Sequence, residues 1–140
     1  MSREPVPVWG RKPSAAWGRA RARLRGRAVV QVEDGFLRSV RTGPEGEPAL
    51  SHVFDHRGIY YDATRPSDLE VMIERGAGAG ADLVARAEAG IASLRARALS
   101  KYNAAPWRTP EALGLAPAGD QVLVVDQTAG DLSIGYGRAE

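Results

Sequence analysis

The 140-residue chain contains no cysteine. That absence excludes a disulfide framework, a zinc–thiolate centre and a cysteine nucleophile. Histidine is almost as scarce. His52 and His56 are the only two, and a four-residue spacing suits a metal only on a helix. Here they flank a predicted strand and turn, so no metal site is expected. No apolar run approaches the ~20 residues that cross a bilayer. No apolar core follows the basic N-terminal residues, as it would in a secretory signal. A cytoplasmic protein is expected. The glycine-rich stretch Gly76-Ala77-Gly78-Ala79-Gly80 lacks the Lys-Ser/Thr of a phosphate loop and reads as a flexible break. Lysine is rare too: 17 of the 19 basic residues are arginine. A GC-rich coding sequence produces that bias, so arginine abundance is weak evidence for phosphate binding.

What is present is an ordinary soluble composition, 44% hydrophobic and 26% charged, at the size of one domain. The net charge of +2 is uneven. Residues 1–27 hold eight basic residues and one acid. Arg19, Arg21, Arg23, Arg25 and Arg27 alternate along a predicted helix and so spread around it as a solvating surface. Contact with an anionic membrane surface is the alternative. Nucleic-acid binding, which needs a clustered basic face with stacking aromatics, is not expected.

The pattern along the chain is α/β. Residues 5–9, with two prolines, read as an early or edge strand. Ser14 caps a helix to about Leu24, with Trp17, Ala20 and Leu24 as its apolar stripe. Residues 28–32 form a second strand. A helical crossover between two strands implies that they are parallel. Residues 49–54 and 58–62 read as two short strands joined by a turn. Ser67-Asp68-Leu69-Glu70 is a capping box opening a helix to about Arg75. A long helix runs from Asp82 to about Leu99 with Leu83, Ala87, Ile91, Leu94 and Ala98 on one face. Residues 100–120 look like a linker, and 121–126 like a buried strand ending in the polar loop from Gln127 to Asp131. The domain reading is a Rossmann-like region over 1–75, a helical segment and linker over 76–120, and the first strand and loop of an incomplete second Rossmann-like domain over 121–140.

The most informative segment is Glu33-Asp34-Gly35-Phe36-Leu37-Arg38-Ser39. It places two carboxylates at the carboxyl end of a predicted parallel strand, where open α/β sheets bind ligands. Gly35 would let a substrate approach the backbone. The competing reading is a plain Asp-Gly turn. Arg38 suits a sugar carboxylate or a phosphate, and equally an ion pair with Asp34. Tyr60, Tyr61, Asp62 and Arg65 could line a sugar site; the alternative is a core tyrosine with Asp62 ordering the following loop. Lys101, Tyr102 and Asn103 are read as fixing a hinge. Gln127 and Thr128 lie at a strand-end loop.

Four segments together carry a resemblance: Glu33 to Ser39, then Gly58-Ile59-Tyr60-Tyr61-Asp62-Ala63-Thr64-Arg65-Pro66-Ser67, then Ser100-Lys101-Tyr102-Asn103, then Val124-Val125-Asp126-Gln127-Thr128. In order and spacing they resemble the capsule polysaccharide biosynthesis/export proteins of the KpsC (LipA) type, over roughly residues 5–137. The resemblance implies a retaining β-Kdo transferase of two-domain, GT-B-like form. It implies CMP-Kdo as donor, a lipid-linked acceptor, no separate cofactor, and work at the cytoplasmic face of the inner membrane. It makes Glu33 and Asp34 the catalytic candidates, one as base on an acceptor hydroxyl or as support for the oxocarbenium-like centre. Gly35, Arg38, Tyr61, Asp62, Arg65, Gln127 and Thr128 become candidate substrate contacts. The family also uses a His-Pro motif on its second domain to hold the CMP phosphate. Val53 and Arg57 follow the two histidines here, so that motif is absent. The expectation is an incomplete enzyme, inactive alone. The alternative is a noncatalytic accessory or remnant protein that binds a partner capsule enzyme or an anionic membrane surface.

Overall fold

The computed structural model describes residues 4–76, 78, 80–115, 122, 124, 125 and 127–137. Its centre is a three-stranded sheet in the order β1-β2-β3. β1 is Val6–Trp9, α1 is Ala15–Leu24 and β2 is Val29–Asp34. β1 and β2 are parallel, with Val8 opposite Gln31, as a helical crossover requires. β1 lies on the sheet edge, where its prolines cost no ladder hydrogen bond. β3, His52–Asp55, runs antiparallel on the other side of β2.

β2 extends two residues beyond the predicted 28–32. Glu33 pairs with Val53 and Asp34 with His52. The acids therefore stand in the strand rather than after it, and successive side chains leave a strand on opposite faces. This has a direct consequence for the site.

α1 forms where expected but buries a different face. Trp17 is 83% exposed and Leu24 is 88% exposed, so the predicted Trp17–Ala20–Leu24 stripe faces outward. The buried positions are Ala15 and Ala22. Gly18 lies between them, and a Cβ there would meet Val8 Cγ1 at 2.7 Å. The helix lies too close to β1 for large side chains, so small residues make the contact and the bulky ones are turned out.

The segment 58–62 is a turn, not a strand. Asp55 Oδ1 accepts from the backbone N–H of Arg57 at 2.8 Å and of Gly58 at 2.7 Å. Those bonds reverse the chain directly after β3. The Gly58 carbonyl is taken by the Gln31 side chain, which removes it from any ladder. Ile59 is fully buried and pins the turn to the sheet. α2, Asp68–Gly76, opens with the predicted capping box. Ser67 N–H donates to Glu70 Oε2 at 2.7 Å and Glu70 N–H to Ser67 Oγ at 3.1 Å. α3, Ala81–Ala96, buries no residue; Leu83 and Ile91 of its predicted apolar face are about half exposed.

Residues 101–103 dock against the loop that follows β2. Arg38 N–H donates to the Lys101 carbonyl at 3.1 Å and Asn103 N–H to that of Val40 at 2.8 Å. Of the strand predicted over 121–126, Gln121, Leu123 and Asp126 lie outside the described residues. Val122, Val124 and Val125 are exposed and stand in no strand. An apolar run becomes a strand only against a sheet edge that offers it a ladder, and none pairs with it among the described residues. α4, Leu132–Tyr136, is tied back by Ala63 N–H donating to the Tyr136 carbonyl at 2.9 Å.

Candidate active site

The carboxyl ends of β1 and β2 open onto a cleft of about 510 Å³. Glu33 and Asp34 line it from β2 and Lys12 from the loop after β1; Tyr60 and Tyr61 come from the turn, and Lys101 and Tyr102 from the docked segment. Gln127 and Asp131 to Ser133 complete its wall. The strand pleat gives the two acids separate environments. Asp34 Oδ2 receives Arg38 Nε at 2.7 Å, and its Oδ1 is buried without a partner among the described residues. Glu33 Oε1 instead receives the Tyr61 hydroxyl at 3.2 Å. That hydroxyl in turn accepts the Arg11 N–H at 3.0 Å.

Electrostatics follow burial. Burial raises the Glu33 carboxyl above the usual glutamate range, outweighing the Tyr61 hydrogen bond and the Lys12 charge that pull it down. Tyr61 is pushed up to about 12, chiefly by burial and also by the neighbouring Glu33 charge. It remains a phenol donor throughout the neutral range. Tyr60 is raised for the same reasons, burial first and then Glu33 and Asp34.

Gly10 makes this arrangement possible. Its φ is +41°, and a Cβ there would fall 2.0 Å from Glu33 Oε1 and 2.5 Å from the Tyr61 hydroxyl. Left-handed backbone and close approach both require glycine.

Several candidates have other surroundings. Gly35 does not line the cleft: its missing Cβ makes room for Ser51, whose Oγ would lie 2.2 Å away. Its openness accommodates the chain entering β3. Arg38 is almost fully buried and engages Ser39 Oγ at 2.8 Å and the Glu47 carbonyl at 3.0 Å besides Asp34. Asp62 is 2% exposed. It is ion-paired with Arg11 and accepts from Thr64 N–H at 3.0 Å and Thr64 Oγ1 at 2.6 Å. Burial alone would raise its carboxyl, but Thr64 and Arg11 hold it below the usual range. It orders the loop. Arg65 lines a separate cavity beside Gln31. Gln127 lines the cleft; Thr128 accepts Asp131 N–H through its carbonyl at 2.9 Å. The histidines are apart: His52 packs edge-on to Trp9 at 5.7 Å, and His56 Nδ1 lies 3.2 Å from Asp68 Oδ2.

Sequence reasoning missed Gly10 and Lys12, and read Lys101 and Tyr102 as a hinge. One signal was available. The chain has two lysines among 19 basic residues, and both line this cleft. Against a strong arginine bias, a lysine is the more informative cation.

This is an α/β protein with a carboxylate cleft at the carboxyl end of a parallel strand pair, the usual ligand position of such sheets. The capsule polysaccharide biosynthesis protein family matches residues 4–113, and the chain belongs to that family. It is 39% identical over 138 residues to the capsule polysaccharide modification protein LipA of Neisseria meningitidis serogroup A, covering 98% of this chain and 20% of that protein. It is 43% identical over 112 residues to the lipopolysaccharide-processing protein LpsZ of Rhizobium meliloti, covering 78% of this chain and 25% of that one. The solved structure of Thermosulfurimonas dismutans KpsC, a beta Kdo 2,4 transferase, superposes with a TM-score of 0.83 at 39% identity, covering 96% of this chain and 41% of that chain. The chain thus spans a fifth to two fifths of these relatives. No helix among the described residues is long and apolar enough to cross a membrane.

Proposed function

We propose that this chain supplies the N-terminal Rossmann-like part of a GT-B-like Kdo transferase, acting in capsule synthesis to move Kdo from CMP-Kdo onto a lipid-linked acceptor. The observation that supports it best is Glu33: a half-buried carboxylate with a raised pKa, in a cleft, held by a phenol donor at 3.2 Å. A raised pKa brings a carboxylate closer to the operating pH of a general base. In this reading Glu33 takes the acceptor hydroxyl proton as the new C–O bond forms at the Kdo anomeric carbon, on the face that the phosphate leaves, so that the configuration is retained. The bond to CMP breaks and its electron pair leaves on the phosphate. Tyr61 orients Glu33. Asp34 lines the same cleft but is engaged by Arg38, and in this reading it holds the following loop in place. Lys12 and Lys101 supply point charges for a sugar carboxylate or a phosphate.

The relatives are much longer than this chain. The reading therefore assigns the CMP moiety to a second Rossmann-like unit of such enzymes rather than to this cleft. The test is CMP release from CMP-Kdo with a Kdo-bearing acceptor. The chain alone gives no release above its Glu33→Gln control. A chimera carrying this segment in place of the matching part of the solved transferase turns over. There Glu33→Gln lowers kcat by about 10²–10⁴-fold, the usual contribution of a positioned base, while CMP affinity is retained. A chimera whose rate survives Glu33→Gln refutes the assignment.

A noncatalytic, partner-binding role is the second reading. What favours it is unpartnered apolar surface. Trp17 and Leu24 on α1, and Met72 and Ile73 on α2, are all more than 60% exposed. Trp17 and Leu24 share the outer side of α1 with Arg21, a combination that also suits peripheral contact with an anionic bilayer.

A further inference from the structure

A second cavity, of about 250 Å³, lies on the α1 side of the sheet and is lined by Arg11, Arg19, Arg57 and Arg65, by Gln31, Asp55 and His56, and by Val29 as its apolar part. Gln31 is 6% exposed. Its Nε2 is committed to the Gly58 carbonyl, which fixes the amide orientation and leaves Oε1 buried with no hydrogen-bond partner among the described residues. Arg11 Nε is likewise buried and unpartnered there. Such groups are costly to leave unpaired. The cavity thus offers one unmet acceptor and one unmet donor.

Its charge balance is cationic. Asp62 pairs with Arg11, and Asp68 takes Arg57 at 3.0 Å and His56. Asp55 is occupied by the N–H groups of Arg57, Gly58 and Asp68, the last at 3.1 Å. Arg19 gives one N–H to the Gly10 carbonyl at 3.0 Å and forms no ion pair among the described residues, although Asp55 lines the same cavity. Arg65 has no partner among them.

We propose that this cavity binds a single sugar-acid unit. The carboxylate meets Arg65 and Arg19, a sugar oxygen accepts from Arg11 Nε, a hydroxyl donates to Gln31 Oε1, and the C–H face rests on Val29. The volume falls just below the ~300–1,000 Å³ of sites for larger small molecules, so it suits one sugar and not a nucleotide. A bare oxyanion would satisfy the arginines but leave much of the space empty. Arg11 belongs to both sites, because its backbone N–H holds Tyr61 in the cleft. The choice of Kdo as the probe rests on the proposed function; the cavity's chemistry does not.

The experiment is an NMR titration of the whole isotope-labelled chain with monomeric Kdo, inorganic phosphate and mannose, following the Gln31 side-chain amide and the arginine Nε–H signals. Kdo shifts the Gln31 and Arg11 signals. Arg65→Ala, at an exposed position, keeps the fold and weakens binding about tenfold or more, as losing a charge-assisted hydrogen bond implies; Arg65→Lys recovers part of it. Glu33→Gln leaves this binding unchanged, so a failed catalytic assignment would not mimic a failed site. The proposal is overturned if the Gln31 amide does not respond to Kdo, if phosphate or mannose binds as tightly, or if Arg65→Ala has no effect. A silent Gln31 amide would mean that ordered water meets the buried groups, and equal binding of phosphate or mannose would mean that the cavity takes a bare oxyanion or a neutral sugar instead.

Discussion

Replacing Gly10 by alanine tests the geometry on which the cleft depends. The backbone there has φ +41°, and left-handed backbone costs a non-glycine residue roughly 1–2 kcal/mol. The added Cβ would also stand 2.0 Å from Glu33 Oε1 and 2.5 Å from the Tyr61 hydroxyl. The carboxylate can swing away on its flexible stem. The phenol is less free, because Arg11 N–H holds it at 3.0 Å. If the two side chains part, their hydrogen bond goes, and a bond to a charged group contributes about 1.5–3 kcal/mol when well made. At 3.2 Å and half buried, this one belongs at the lower end. Gly10→Ala should therefore cost about 2.5–3.5 kcal/mol in urea unfolding, with an unchanged m-value. Without its phenol donor, Glu33 should also titrate higher than in the parent, as seen by carboxyl-carbon NMR. A variant with parental stability and an unmoved Glu33 titration would show that Gly10 does not shape the cleft, and the reasoning would fail.

Further outcomes follow from the same contacts. Asp62→Ala strands the Arg11 guanidinium in a buried site and should cost about 3–5 kcal/mol, as breaking buried ion pairs does; a neutral result in thermal unfolding would return Asp62 to the candidate ligand contacts. Trp17→Ala should change stability by less than about 0.5 kcal/mol in dilute monomer, because the ring is 83% exposed; a core residue would cost several times more. Because the folded pKa of Glu33 is raised, the folded state binds more protons than the unfolded one above the ordinary glutamate pKa, and its contribution to stability falls as pH rises through that window. Glu33→Gln should therefore look more favourable relative to the parent at pH 7 than at pH 4 in chemical denaturation, and the opposite slope would contradict the burial of this carboxylate.

The sequence by itself determined the local elements and the family. Period-two and helical patterning, a proline-bearing edge strand and the Ser67–Glu70 box are local signals, and β1, α1, β2, β3, α2 and α3 formed within a few residues of their expected places, whereas residues 58–62 form a turn and Val122, Val124 and Val125 stand in no strand. The motifs around Glu33, Tyr61 and Lys101 were also legible, because they lie in short contiguous stretches. Tertiary structure alone decided what those residues face. Two more residues of β2 pairing put Glu33 and Asp34 on opposite sides of a strand. Close approach of α1 to β1 turned Trp17 and Leu24 outward and selected Ala15, Gly18 and Ala22 instead. Asp55 and Gln31 claimed the backbone that would have made residues 58–62 a strand. Periodicity records that a side chain is apolar or charged. Whether it meets a neighbour, a cleft or solvent depends on elements tens of residues away, such as the 50 residues between Arg11 and the Tyr61 hydroxyl that holds it. No local pattern carries that distance.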